Sequence, residues 1–225
     1  MTRHLLTSGL IAGLAAGLLA ALLQFAFVVP LLLEGELYES GARAHFSAGT
    51  IQSEAGAPSA WADLSRNAGT LAMNAVAYIG FALVMVAGFA LAERAGHGVT
   101  ARRGALWGLA GFVALHLAPA FGQPPVLPGT IGAALDLRQY WWAGCVAATA
   151  LGIAALAFGR GPLAVVLGIA LIAAPHIIGA PRIDEYFGVA PPELATLFAT
   201  RSLGTAAVAW VVLGTLAGAL WARRD

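Results

Sequence analysis

The sequence contains no lysine, a single cysteine and few charged residues. All 12 of its basic residues are arginine, and charged residues make up only 10% of its 225 residues. Without lysine the chain cannot form the GxxxxGK loop that binds nucleotide phosphates, so it cannot use ATP in that way. The lone Cys145 excludes internal disulfides and metal sites built from cysteine pairs. No HExxH motif and no triad of nucleophile, base and orienting group is present, so we do not expect an enzyme.

Apolar residues, in contrast, are abundant. They make up 60% of the chain, and the mean hydropathy of +0.81 lies far outside the range of soluble domains. The composition predicts an all-α polytopic integral membrane protein that forms a single transmembrane domain over residues 1–225. A span requires about 20 apolar residues, and six segments approach this length: residues 5–33, 67–92, 104–122, 138–158, 162–179 and 194–221.

The first span carries two signs of contact with a neighbouring helix. Gly9, Gly13 and Gly17 recur every fourth residue and so share one face, which lets another helix approach closely. Gln24 is the lone polar group within the apolar run. We expect its side chain to hydrogen-bond across a helix interface.

The charges predict the orientation of the spans. The termini and loops of one side carry seven arginines and two acids, whereas the loops of the other side carry five arginines and nine acids. Because short basic loops stay in the cytoplasm, we expect both termini inside and the acidic loops outside. The longest polar stretch, residues 34–66, is then an extracytoplasmic loop between the first two spans.

The segment from His116 to Trp142 is the most distinctive in the chain. Proline locks φ and has no N–H, so several prolines cannot lie in one continuous helix. We therefore expect a rigid, ordered loop between two helices. A histidine precedes it, and an acid and an arginine follow it. The four prolines are Pro119, Pro124, Pro125 and Pro128.

Residues that could bind a metal ion gather at the predicted outer side. Imidazole and carboxylate groups suit divalent transition-metal ions, and an acidic vestibule concentrates cations. The acids and one loop histidine would attract Co²⁺ or Ni²⁺, and two histidines near the outer ends of the third and fifth spans would take it into the helices. The ion is then the transported ligand, and no resident cofactor is expected. The candidate ligands are His116, His176, Glu34, Glu36, Glu39, Asp136 and His45.

These residues also have purely structural interpretations. A membrane histidine often bonds between helices, three glutamates can form a solvated helix end, and Asp136 with Arg138 could form a cap and an ion pair. Tyr140, Trp141 and Trp142 are typical of an anchor at the membrane interface. Two other functions fit as well. One is a non-transporting scaffold that binds a partner protein through its outer loops, and the other is a permease for a small organic cation held by aromatic rings.

Motifs in three parts of the chain can be compared with a known family. They are PLLLEGELYE after the first span, HLAPAFGQPPVLPG with DLRQYWW in the middle, and APHIIGAP followed by APPELATLF near the end. In this order they resemble the CbtA family of probable cobalt transporter subunits, and PP-x-x-PG and RQ-x-WW are the more specific motifs. The family's middle loop reads closer to GLPPELPG, so Gln123 and Val126 stand in place of its leucine and glutamate.

The resemblance implies how such a chain would work. It implies a multi-span protein of the inner (plasma) membrane that contacts lipid and moves cobalt. It also implies a small single-span partner subunit that supplies histidines. Nothing in it suggests a nucleic-acid partner.

Overall fold

The computed structural model describes residues 2–45, 56–185 and 187–223, and within these ranges the chain is helical and contains no strand. This confirms the all-α class. The helices are α1 (Thr2–Phe27), α2 (Val29–Glu39), α3 (Leu64–Arg94), α4 (Ala101–Phe112), a π-helix (Val113–Leu117), α5 (Ala118–Ala120), α6 (Leu135–Phe158), α7 (Gly161–Ile178) and α8 (Pro192–Ala222).

Five helices, α1, α3, α6, α7 and α8, are long and apolar enough to cross a membrane. This confirms a polytopic membrane protein. The remaining predicted span, residues 104–122, is divided among α4, the π-helix and α5, each of which is too short alone. Together these three elements cover residues 101–120, close to the ~20 residues of a span. Six spans, with both termini on the cytoplasmic side, therefore remain a prediction.

The first helix ends earlier than the apolar run that predicts it. That run continues to Leu33, but α1 stops at Phe27 and α2 begins at Val29. Pro30 lies in the first turn of α2. An N–H in the first turn has no acceptor within its own helix, so proline's lack of an N–H costs α2 no hydrogen bond. The glutamates that follow Pro30 therefore lie on a helix rather than in a loop. Pro119 is placed in the same way, in the first turn of α5.

Asp63 caps the long helix α3. Its carboxylate accepts hydrogen bonds from the Arg66 N–H at 3.0 Å and from the Ser65 hydroxyl at 2.8 Å. An N-cap carboxylate satisfies an amide that has no helical partner. The bond from the Arg66 N–H, followed by the bond from Ser65, holds the pKa of Asp63 below its ordinary value.

The chain divides into two compact units. The first comprises Met1–Val29, Pro58–Phe112 and Gly204–Asp225, and the second comprises Pro30–Ala57 and Val113–Leu203. Because α8 includes Leu203 and Gly204, this one helix contributes residues to both units.

In the first unit, glycines allow α1 to pack closely on α3. A Cβ atom on Gly13 would lie 2.5 Å from Ile79 Cα, and one on Gly17 would lie 2.7 Å from the Asn74 carbonyl oxygen. Gln24 donates to Asn74 Oδ1 at 3.2 Å and accepts from Asn74 Nδ2 at 3.0 Å. Both expectations for the first span, helix packing and a bond across the interface, are confirmed.

The ends of three helices of the first unit meet around Trp221. Its indole N–H donates to the Glu93 carboxylate at 2.7 Å, which joins α8 to α3. The His4 imidazole of α1 lies 3.4 Å from the Trp221 carbonyl oxygen. Trp221 is only 1% exposed, so its indole N–H and its buried aromatic ring together hold the helix ends in place.

The second unit is built around α6. The helix packs against α7, and also against the π-helix and α5. The two helices approach closely where Gly152 meets Gly168, because a Cβ atom on Gly152 would lie 2.7 Å from the Gly168 carbonyl oxygen. Most large side chains of α7, such as Leu163, Val166 and Ile169, face outward. Such a surface suits contact with lipid.

Candidate functional site

A non-helical segment between α5 and α6, residues 121–134, belongs to the second unit. We call it the proline loop. It contains three of the four predicted loop prolines, whereas the fourth, Pro119, lies in α5 before the loop. The Gln123 side chain donates to the Arg138 carbonyl oxygen at 3.4 Å and so ties the loop to the first turn of α6. The prediction of a loop between two helices is confirmed for residues 121–134, but it was wrong for Pro119, which is helical.

The start of the proline loop packs on the end of α7, where His176 lies. The ring of Phe121 is 5.8 Å from the His176 ring, and the ring of Trp141 is 6.4 Å from it, both edge to face. Gly122 fits between Ala180 and Trp141, because a Cβ atom there would lie 2.6 Å from Ala180 Cβ and 2.8 Å from the Trp141 ring. The side chain of His176 is nevertheless exposed. A metal ion could therefore approach its free edge.

Trp141 fixes the backbone beside this histidine. Its indole N–H donates to the Pro175 carbonyl oxygen at 3.1 Å, so α6 is bonded to α7 immediately before His176. Pro175 has no N–H of its own, and the helix therefore lacks one bond in its last turns. The bond from Trp141 supplies a contact between helices where the helical ladder is weakened.

The other side of the proline loop contacts the acidic helix α2. Leu127 is 2% exposed, and its side chain lies 2.9 Å from where a Cβ atom on Gly35 would be. Gly129 adopts φ +76°, which favours glycine, and a Cβ atom there would lie 3.5 Å from Glu39 Cβ. The same loop thus touches both the helix that carries the glutamates and the helix end that carries His176.

Glu34 already has a cationic partner. After α2 the chain reverses at Gly41, which has φ +76°, and the Arg43 N–H returns to bond the Leu37 carbonyl oxygen at 2.9 Å. The Arg43 guanidinium then forms an ion pair with the Glu34 carboxylate. Both side chains are largely buried, with 22% and 24% exposure.

His116 lies in the π-helix that precedes the proline loop. Its side chain is half-buried, on an element that packs against α6. Single turns of π-helix inside α-helices occur often at functional sites, because they shift side chains and carbonyl groups out of the regular register. Pro119 follows three residues later and cannot donate to the carbonyl four residues before it.

The remaining candidates are spread along the same unit. Asp136 is exposed in the first turn of α6, where a negative charge suits the helix N-terminus, and it forms no ion pair with Arg138 among the described residues. Glu36 and His45 are half-buried, and Glu39 is exposed.

All seven candidate ligands thus belong to the second unit, and none belongs to the first. They are not gathered into a finished coordination site. Across residues 2–45, 56–185 and 187–223 no three His, Cys, Asp or Glu side chains lie close enough together to hold one ion. Their role as ligands therefore stays a prediction.

Sequence reasoning missed two side chains of this region. Trp141 belongs to the aromatic run interpreted as an interfacial anchor, but it is turned toward α7, whereas Tyr140 and Trp142 are exposed. Its position within the RQ-x-WW motif is the signal that could have singled it out. Arg43 was counted only as a loop charge, and nothing in its local sequence indicates that it pairs with Glu34.

Comparison with known proteins identifies the family. The family model of the probable cobalt transporter subunit (CbtA) matches residues 2–222. No curated protein and no solved structure matches the chain. The family is one of transporter subunits, which implies transport rather than catalysis and the presence of further subunits. The match extends over almost the whole sequence, so the chain belongs to the CbtA family of probable cobalt transporter subunits.

Proposed function

We propose that this chain is the component of a metal transporter that accepts a divalent cation, Co²⁺ or Ni²⁺, from the outer face of the inner membrane. The family membership supports a cobalt transporter subunit. The acidic loops at the predicted outer side support entry from that face, because they raise the local concentration of cations. The ion is the cargo of the protein rather than a resident cofactor.

The observation that carries the proposal is the arrangement of the second unit. Its proline loop contacts Gly35 and Glu39 of the acidic helix on one side and Ala180 and Trp141, next to His176, on the other. Carboxylates and imidazoles are the protein ligands that suit Co²⁺ and Ni²⁺. The loop therefore connects the groups that would attract the ion to a group that would bind it more strongly.

We assign successive roles to the ligands. The exposed Glu39 and Asp136, with Glu34, Glu36 and His45, attract and first bind the ion, and His116 and His176 take it toward the helices. Pro175 leaves one carbonyl group of α7 without its helical donor, close to His176. Such carbonyls can complete an ion site where a broken helix lines a cavity.

A partner subunit is part of the proposal. The described residues contain no cluster of three ligands, and divalent transition metals require at least four ligand positions in most protein sites. Histidines from a small single-span partner would complete the set. A protein that only anchors a partner, without transport, is the competing function.

Calorimetric titration of Co²⁺ and Ni²⁺ into the detergent-purified protein tests this proposal. We expect micromolar binding that weakens at least about tenfold when His116 and His176 are both replaced by alanine. His97→Ala is the matched control, because His97 lies on the predicted inner loop, and it should leave the affinity unchanged.

Metal uptake by cells that produce each variant separates transport from binding. The double alanine variant should remain in the membrane and lose cobalt accumulation. Unchanged uptake by this variant would exclude the two histidines as the site. A protein that binds no metal, transports none even with its partner present and still co-purifies with that partner would be a scaffold.

A further inference from the structure

The ion pair between Glu34 and Arg43 occupies one of the candidate metal ligands with a cation from the same chain. Arg43 follows Glu34 by nine residues in sequence, and the turn at Gly41 brings it back over the helix. Ser40 strengthens the turn, since its N–H bonds the Glu36 carbonyl oxygen at 2.9 Å and its hydroxyl bonds the Leu37 carbonyl oxygen at 3.2 Å. The backbone, and not only the two charges, therefore holds the guanidinium in place.

We propose that Arg43 is a tethered counter-cation that occupies the Glu34 carboxylate until a divalent metal ion displaces it, and that it thereby sets the affinity and charge selectivity of the outer site. This inference rests on the proposed function. In the exchange Glu34 releases one singly charged guanidinium and receives one doubly charged metal ion, so the charge at the carboxylate rises by one, and Arg43 moves into water.

A tethered guanidinium discriminates between cations by their charge. It competes at the high effective concentration that a short connection provides. A monovalent ion such as Na⁺ brings no more charge than Arg43 and gains nothing by replacing it. A divalent ion interacts about twice as strongly with the same carboxylate at equal distance. The pair should therefore exclude Na⁺ and still yield to Co²⁺.

The same pair keeps binding reversible. An ion that moves through a protein must bind well enough to enter and weakly enough to leave. A carboxylate that regains its own arginine as the metal departs releases the ion more easily than an empty one, because it is never left unpaired in a largely buried position. Arg43 thus favours release of the metal ion over its permanent binding at Glu34.

Calorimetry on the full chain tests this role. We expect Arg43→Gln to tighten Co²⁺ binding about two- to fivefold, the range expected from loss of one partly exposed ion pair. Arg182→Gln removes the same charge from the predicted outer side at an exposed residue, and it should change the affinity less than about twofold. Arg43→Lys keeps the tethered charge and should also stay close to the original affinity.

A double variant tests whether Arg43 acts through Glu34. If Arg43 acts through Glu34, Arg43→Gln should not raise the Co²⁺ affinity of a chain that already carries Glu34→Gln. A gain that persists there, or an equal gain from Arg182→Gln, would mean a general effect of charge and would overturn the inference. Unchanged or weaker binding by Arg43→Gln would overturn it as well, while leaving the proposed function intact.

Sodium competition tests the selectivity, and its first measurement, on the original protein, does not rely on the folding of any variant. In the original protein, replacing choline by Na⁺ at constant ionic strength should leave the Co²⁺ affinity unchanged, and in Arg43→Gln it should weaken it. Strong competition by Na⁺ in the original protein would contradict the inference. If no chain binds Co²⁺, either alone or with the partner subunit present, the metal-binding function itself fails, and this inference fails with it.

Discussion

At the scale of single residues, the site depends on side chains that hold other groups in position. The indole N–H of Trp141 donates to the Pro175 carbonyl oxygen. The Gly179 N–H also donates to that oxygen, at 3.0 Å. The carbonyl is therefore satisfied without Trp141, and the value of the indole bond lies in joining α6 to α7. Its ring adds a second contact, to His176.

We expect Trp141→Phe to lower the free energy of unfolding by about 0.5–1.5 kcal/mol, because a bond between helices is lost while most of the ring remains. Trp142→Phe is the matched control, since Trp142 is 41% exposed. It should be nearly neutral. Thermal unfolding followed by circular dichroism in detergent compares the two. Equal losses would show that both rings act only as membrane anchors.

At the scale of the helices, glycine decides which pairs can pack closely. Gly13 faces the backbone of α3, where the neighbouring atoms cannot move independently. Gly80 of α3 has no atom within 4 Å of a Cβ position. The same residue type therefore serves a close contact at one position and none at the other.

Gly13→Ala should destabilise the protein by about 1–2 kcal/mol, because overpacking against backbone outweighs the gain in helix propensity. Gly80→Ala should be neutral or stabilising by up to about 1 kcal/mol, since only the propensity changes. Thermal unfolding of both variants in the same detergent measures the difference. A stable Gly13→Ala variant would mean that α1 and α3 are further apart than the structure has them.

At the scale of the whole molecule, the number of crossings depends on residues 101–120. This segment is helical throughout but changes from α to π and back. If it crosses the membrane, the loop before it and the proline loop after it lie on opposite sides. If it does not, five spans place the two termini on opposite sides.

Cysteine labelling decides between these topologies. In a Cys145→Ala background, we expect a cysteine in place of Ile131, which is 57% exposed, to react with a membrane-impermeant maleimide in intact cells. A cysteine in place of Gly98 should react only after the membrane is permeabilised. Labelling of both from outside would show that residues 101–120 do not cross. Labelling of Gly98→Cys alone would reverse the predicted orientation.

Three parts of this architecture followed from the sequence because their causes are local. The length of the apolar runs predicted the five long helices, since a span must cover the hydrocarbon with consecutive residues. The covalent geometry of proline predicted the proline loop. The glycines of α1 and the amide of Gln24 predicted a helix contact, because these groups have few other uses within an apolar run.

Tertiary structure alone decided how the candidate site is held. The hydrogen bond from Trp141 to Pro175 joins residues 34 positions apart, and the pairing of Arg43 with Glu34 depends on a reversal after α2. Neither can be read from local patterns, because a long side chain selects its partner only after the backbone has brought several candidates within reach. The sequence by itself determined a helical membrane protein with a proline-containing loop. The folded contacts determined that this loop lies next to the acidic helix α2 and to His176.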